Sequence, residues 1–235
     1  MNDPYLYEGT SVLRNKLGIK ESTALDVAEA EISRANMMEL LESGFQDFSP
    51  RGMRAIHRKL FQDVYDWAGK YRTINIEKRE RVLAGLTVWY SRDEAIPKDL
   101  ETAFKRLNGK DWADCPKDQF VKQLTEVFPP IWQVHPFREG NTRTTVLLMT
   151  LFTEHHGFDM NFELLAKHSG YVRDSFVMAS IGEYAEPEHL AKILSDAVQT
   201  RNDGAASPPK PGRTPSRLSL PRNDNSKSST DYEYE

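Results

Sequence analysis

The sequence predicts a mainly α-helical domain carrying one small β-hairpin. Apolar residues recur at helical spacing through most of the chain. One stretch, near residues 71–90, switches to β-branched and aromatic residues around a charged tip. After residue 202 the large aliphatic residues nearly vanish. The 235 residues therefore divide into an N-terminal leader and helix (1–48), a core domain (49–202) and a Ser/Pro-rich tail (203–235). The tail is too poor in apolar side chains to offset the entropy of ordering it, which predicts disorder.

The first helix begins near Ser22 or Thr23 as N-cap, carries Leu25, Ala28, Ile32, Met37, Leu40 and Leu41, and stops at Gly44. Ser49-Pro50 is a stronger start, a capping serine followed by a proline at the first helical position. Ile56, Leu60, Val64 and Trp67 then define one core face up to Gly69. Tyr71–Ile76 and Val82–Tyr90 read as two strands, with Arg79, Glu80 and Arg81 at a solvated tip. Helices follow at Asp93–Leu107, at Lys117 to about Val127, where Pro129-Pro130 disturbs the end, and at Thr142–His155. The last is nearly all-round apolar, hence central. Three more are predicted at Asn161–Lys167, Tyr171–Ile181 and Pro187–Thr200. The four tryptophans read as core or half-buried packing, and His57, His168 and His189 as structural or surface residues.

Hydrophobic residues make up 39% and charged residues 28%, with a net charge of -4, which excludes non-specific nucleic-acid binding. The single cysteine, Cys115, allows no intramolecular disulfide and suits a reducing, cytoplasmic compartment. The first residues lack the basic and apolar regions of a secretory signal. No apolar run approaches the roughly 20 residues that span a bilayer, so no membrane role is expected.

The chemistry concentrates in His135-Pro136-Phe137-Arg138-Glu139-Gly140-Asn141-Thr142-Arg143, which enters the most buried helix. A helix N-terminus offers free N–H groups and a positive dipole end. Gly140 and Asn141 let an anion approach, and Arg143 can fork onto phosphate oxygens. An arginine in a first turn opposes the dipole, which hints at a compensating anion. Glu139 suits Mg2+ shared with phosphate. His135 suits a general base, and Phe137 anchors the loop.

This stretch resembles the signature of the Fic family, His-x-Phe-x-(Asp/Glu)-Gly-Asn-Gly-Arg-x-x-Arg. His135, Phe137, Glu139, Gly140, Asn141 and Arg143 match in register, and Ala68-Gly69-Lys70-Tyr71-Arg72 leading into the hairpin is also similar. The likeness covers roughly two thirds of the chain, from about Ser49 to Thr200. It implies a Fic-type helical bundle with a small β-hairpin flap over the active site. It also implies a protein adenylyltransferase that moves AMP from ATP to a Ser, Thr or Tyr hydroxyl of a target protein, releasing pyrophosphate. In that reading His135 is the base and Glu139 the Mg2+ ligand. Gly140, Asn141, Thr142 and Arg143 hold phosphates, and Tyr171 contacts the adenine. The flap, through Ile74, Asn75, Ile76, Leu83 and Leu86, docks the target as an added strand.

Two positions depart from the pattern. Thr142 replaces a glycine, and Val146 replaces the second arginine, which in the family holds the terminal phosphate and pairs with an inhibitory glutamate. No clean copy of the inhibitory pattern (Ser/Thr)-x-x-x-Glu-(Gly/Asn) is found. A separate inhibitory antitoxin, another form of inhibition, or none would fit, as would a homo-oligomer or a secreted effector. A Fic-fold transferase using a different nucleotide donor, or a non-catalytic module binding nucleotide or target, is the alternative function.

Overall fold

The computed structural model describes residues 3–201, so the reading of the tail at 203–235 lies outside the described residues. Eight α-helices and one two-stranded sheet carry the fold among these residues. None of the helices is long and apolar enough to cross a membrane.

Helix α1 (Ser22–Glu42) is capped by Glu21, not by Ser22 or Thr23. The Glu21 carboxylate accepts the N–H groups of Thr23 (3.0 Å) and Ala24 (2.6 Å). A charged acceptor outdoes a hydroxyl at a helix N-terminus. Gly44, in the left-handed region at φ 65°, turns the chain out of the helix as expected. The buried stripe of α1 mixes Leu25, Met37 and Leu40 with Glu29, Ser33 and Asn36, an unusual cargo for a core face. Helix α2 (Pro50–Phe61) starts as predicted, with Ser49 Oγ accepting the Gly52 N–H at 3.2 Å. It ends earlier than predicted. Val64 and Trp67 sit in the turns that follow, where Val64 is still fully buried. Helix α1 packs on α2, so the leader and the core belong to one compact unit that runs to Arg201.

Residues 71–90 fold back over the domain, but without a strand ladder. Two backbone bonds cross the turn, Glu80 N–H to Leu86 O and Gly85 N–H to Glu80 O, both at 2.9 Å, beside a 3-10 turn at Arg81–Leu83. From Arg72 to Glu80 inward and outward side chains alternate, so the strand period survives. Side chains, not a ladder, hold the segment: Glu80 is fully buried, which corrects the solvated-tip reading, and it bonds Tyr90 and Arg173. The hairpin is thus a tethered loop, because two strands alone are marginal in water.

A 3-10 turn, Asp93–Ala95, leads into α3 (Ile96–Asn108). Helix α4 (Lys117–Val134) runs straight through Pro129-Pro130, contrary to expectation. Each interior proline costs about 3 kcal/mol. Burial of Phe128, Ile131 and Trp132, all at 0% exposure, returns about 1.5–3 kcal/mol per side chain. Helix α5 (Asn141–His155) is central as predicted, yet its buried face includes Thr144, Thr145, Thr150 and Thr153. Thr144 and Thr150 return their hydroxyl protons to the carbonyls of Gly140 and Val146 at 2.8 and 3.0 Å, so the helix satisfies these two internally, while the Thr145 and Thr153 hydroxyls have no partner among the described residues.

Strand β1 (Phe158–Met160), α6 (Phe162–Lys167), α7 (Ser169–Met178), α8 (Glu188–Ala197) and β2 (Val198–Thr200) complete the unit. The antiparallel β1–β2 pair, in register Phe158 with Thr200 and Met160 with Val198, replaces the predicted last turn of α8. Val198, Gln199 and Thr200 need only a partner strand to leave the helix, and three residues are too few to show a period.

Candidate active site

The signature loop is built where α4 ends. His135 takes the left-handed conformation (φ 50°) and caps α4, its N–H donating to Trp132 O at 3.0 Å. A non-glycine residue in this region is uncommon. The turn delivers the imidazole into a cavity of about 350 Å3 whose lining includes Glu139, Gly140, Asn141, Thr142 and Arg143. His135 is 2% exposed. Among the described residues neither ring nitrogen has a hydrogen-bond partner. Burial, together with the nearby Lys78, Arg72 and Arg173 cations, pushes its pKa well below the ordinary histidine value. The ring is therefore neutral and able to accept a proton. Tyr90 and Trp132 flank it at 4.2 and 5.1 Å between ring centroids.

The rest of the loop is held by groups outside the signature. Buried Arg72 donates from Nε to His135 O (2.9 Å) and from Nη1 to Ile74 O (2.7 Å), while its backbone N–H bonds Pro136 O at 2.9 Å. Phe137 is fully buried and stacks on His57 at 3.8 Å. The Gly69 N–H donates to His57 Nδ1 (2.8 Å), so Nε2 carries the proton and donates to Glu139 O at 3.0 Å. Burial holds the His57 pKa down to about 3. His57 is thus structural, as read, but it is part of the site's frame.

Gly140 is required twice. Its φ is 79°, and a Cβ there would collide with the Phe61 ring. The Asn141 side-chain amide clamps Phe137, accepting from Phe137 N–H at 2.9 Å and donating to Phe137 O at 2.8 Å. What it offers an anion is its backbone N–H at the start of α5. Thr142 Oγ1 accepts the Trp132 indole N–H at 2.9 Å, a bond that glycine could not make, so this departure positions the indole beside His135. Glu139 faces the cavity with Oε1 accepting the Gly140 N–H (3.0 Å) and Oε2 3.3 Å from Lys78 Nζ. Burial alone would raise its carboxyl, but Lys78, the Gly140 N–H and Arg143 outweigh burial and keep it below the usual carboxylate range.

Arg143 does have a compensating anion, and it belongs to the protein. Glu29 of α1 pairs with its guanidinium, Ser33 Oγ accepts from Nη1 at 2.8 Å, and Phe61 stacks beneath at 4.9 Å. Tyr65 donates its hydroxyl proton to the same carboxylate. The sequence reading missed Glu29, although a carboxylate within a core stripe was its signal.

Tyr171 is not brought to the cavity. Its hydroxyl lies 3.3 Å from His189 Nδ1 on α8, and Ser169, Gly170 and Arg173 supply the α7 wall. Of the flap residues, Asn75 is engaged in accepting the Asp93 N–H (3.0 Å), and Ile74, Ile76 and Leu83 are half-buried. Leu86 is 72% exposed. Trp89, expected to pack, is 87% exposed beside it.

Residues 47–153 match the model of the Fic/DOC family. A protein named probable protein adenylyltransferase y4lH, from Sinorhizobium fredii, is 34% identical over 163 residues, spanning 68% of this chain and 80% of the relative. The chain belongs to the Fic/DOC family. A second relative of this Fic protein, probable protein adenylyltransferase Fic from Escherichia coli, is 30% identical over 71% of this chain and 80% of its own length. Protein adenylyltransferase VbhT from Bartonella schoenbuchensis is 30% identical over 82% of this chain, which spans 38% of that longer protein. The crystal structure of BepC from Bartonella tribocorum, with bound AMPPNP, shares the fold at a TM-score of 0.71 and 22% identity, over 84% of this chain and 97% of that one.

Proposed function

We infer that this Fic protein is a protein adenylyltransferase that takes AMP from ATP and places it on a Ser, Thr or Tyr hydroxyl of a target protein. The observation that carries this is the neutral, unpartnered imidazole of His135, buried in a cavity that also holds a carboxylate and a helix N-terminus. In the reaction the target hydroxyl oxygen forms a bond to the α-phosphorus. The bond from that phosphorus to the bridging oxygen breaks, and pyrophosphate leaves with the electron pair. His135 takes the hydroxyl proton. The first-turn N–H groups of α5 meet phosphate oxygens. Glu139 would hold Mg2+: it is ionised, faces the cavity, and one carboxylate with phosphate oxygens is a usual magnesium donor set. Bound there, the ion would neutralise phosphate charge.

The target would dock on the flap, whose backbone between Ile74 and Arg79 is left unpaired by any ladder, with Leu86 and Trp89 as exposed apolar contacts. Arg143 would join the phosphate site once Glu29 releases it. That pair supports a restraint within the chain, beside which a separate antitoxin could still act.

Incubation of the protein with Mg2+, a target lysate and ATP labelled at the α or the γ position tests the reading. Label from the α position on protein, lost in His135→Ala, is expected. Label from the γ position instead indicates a kinase, and no labelling under any condition leaves only a binding module.

A further inference from the structure

Val146 leaves the α5 wall without a cation one turn beyond Thr142, and its side chain is buried and apolar. The cavity-lining cations are Lys78, Arg143 and Arg173. Lys78 sits on Glu139 and Arg143 on Glu29. Arg173 differs, because Glu80 alone meets both of its terminal nitrogens, whereas Arg143 is shared between Glu29 and Ser33. Its guanidinium pairs with Glu80, Nη2 donating to Oε1 at 2.9 Å and Nη1 lying 2.7 Å from Oε2, while Tyr90 donates to Oε1 at 2.9 Å and Asp174 Oδ1 stands 4.0 Å from Nη1. Glu80 is fully buried. A buried carboxylate is costly unless its partners are well placed. Here it meets the two terminal nitrogens of a five-donor group, while Arg173 still lines the cavity.

We propose that Arg173, oriented by Glu80 and Tyr90, binds the phosphate chain of the donor nucleotide and replaces the cation missing at position 146. Arg173 touches substrate in this assignment, whereas Glu80 and Tyr90 are positioning residues. The assignment rests on the nucleotide-donor reading above. It makes the phosphate site span two walls, the α5 N-terminus and α7, and couples it to the flap through one carboxylate.

The test is nucleotide binding by calorimetry, with Mg2+, on the full chain carrying His135→Ala to prevent turnover. Arg173→Met alone strands Glu80 without a counter-ion and can unfold the chain, so the informative comparison is Glu80→Gln against Glu80→Gln with Arg173→Met. Loss of Arg173 from the Glu80→Gln background should weaken ATP about tenfold, the value of one charge-assisted contact. Adenosine, which has no phosphate, should change by less than about twofold. Unchanged ATP affinity overturns the proposal and leaves the adenylyltransferase reading intact. An equal loss for ATP and adenosine also overturns it, since Arg173 would then shape the cavity without meeting phosphate. If the His135→Ala parent binds neither ligand, the donor reading falls with it.

Discussion

His57 shows how one residue ties stability to the site. The folded chain keeps its ring neutral down to about pH 3, because burial disfavours the charged form, while the unfolded chain protonates it near pH 6.5. Between those values the unfolded state binds more protons, so stability falls as pH falls through that window. His156, held down to about 4 by burial and His155, acts in the same sense. The thermal midpoint should therefore drop steadily from pH 6.5 to pH 4, by the equivalent of a few kcal/mol, and the slope should flatten in His57→Gln. Gly140 sets a second expectation. Gly140→Ala meets both a left-handed backbone and the Phe61 ring. It should cost about 1–2 kcal/mol for the backbone alone, read by denaturant unfolding, and should reduce nucleotide affinity with it.

At the scale of elements, α1 and the flap each hold one cavity-lining arginine, Glu29 on Arg143 and Glu80 on Arg173. Glu29 and Ser33 occupy Arg143, the arginine proposed for the phosphate site. Glu29→Gly should free Arg143 and raise α-label incorporation by about tenfold or more if the restrained form dominates. The same change should lower stability by about 2 kcal/mol or more, as Tyr65 loses its acceptor and a glycine enters the interior of α1. A rate no higher than that of the unaltered protein would show that the pair does not restrain the site. On the flap, Trp89 contributes little to folding because it is 87% exposed. Trp89→Ala should leave the unfolding midpoint within about 0.5 kcal/mol while reducing target modification, measured as labelled target per enzyme. Helix α4 and the β1–β2 pair illustrate what local patterns miss. Pro129-Pro130 looks like a stop until the burial of Trp132 and Ile131 is known, and Val198–Thr200 looks like a helix end until Phe158–Met160 lies beside it.

Over the whole molecule, contacts distant in sequence complete the site. Arg138 of the signature loop bonds Asp3, 2.7 Å from Nη2 and 3.0 Å from Nε, and Tyr5 accepts the Thr73 N–H at 3.1 Å at the base of the flap. Asp3→Ala should weaken the fold by about 1 kcal/mol and slow labelling, with both effects read against an intact far-ultraviolet spectrum. The signature from His135 to Arg143, the Ser49-Pro50 start of α2, the central place of α5 and the Fic fold itself were determined by the sequence alone. Each rests on neighbours a few residues apart, where spacing and capping rules act. The clamp on Arg143, the burial of Glu80 beneath Arg173, the engagement of Asn141 with Phe137 and the turning away of Tyr171 were decided only by the tertiary structure. Glu29 and Arg143 lie 114 residues apart, and Glu80 and Arg173 lie 93 apart. A lone charge in an amphipathic stripe does not name its partner until the chain has folded and excluded water from both.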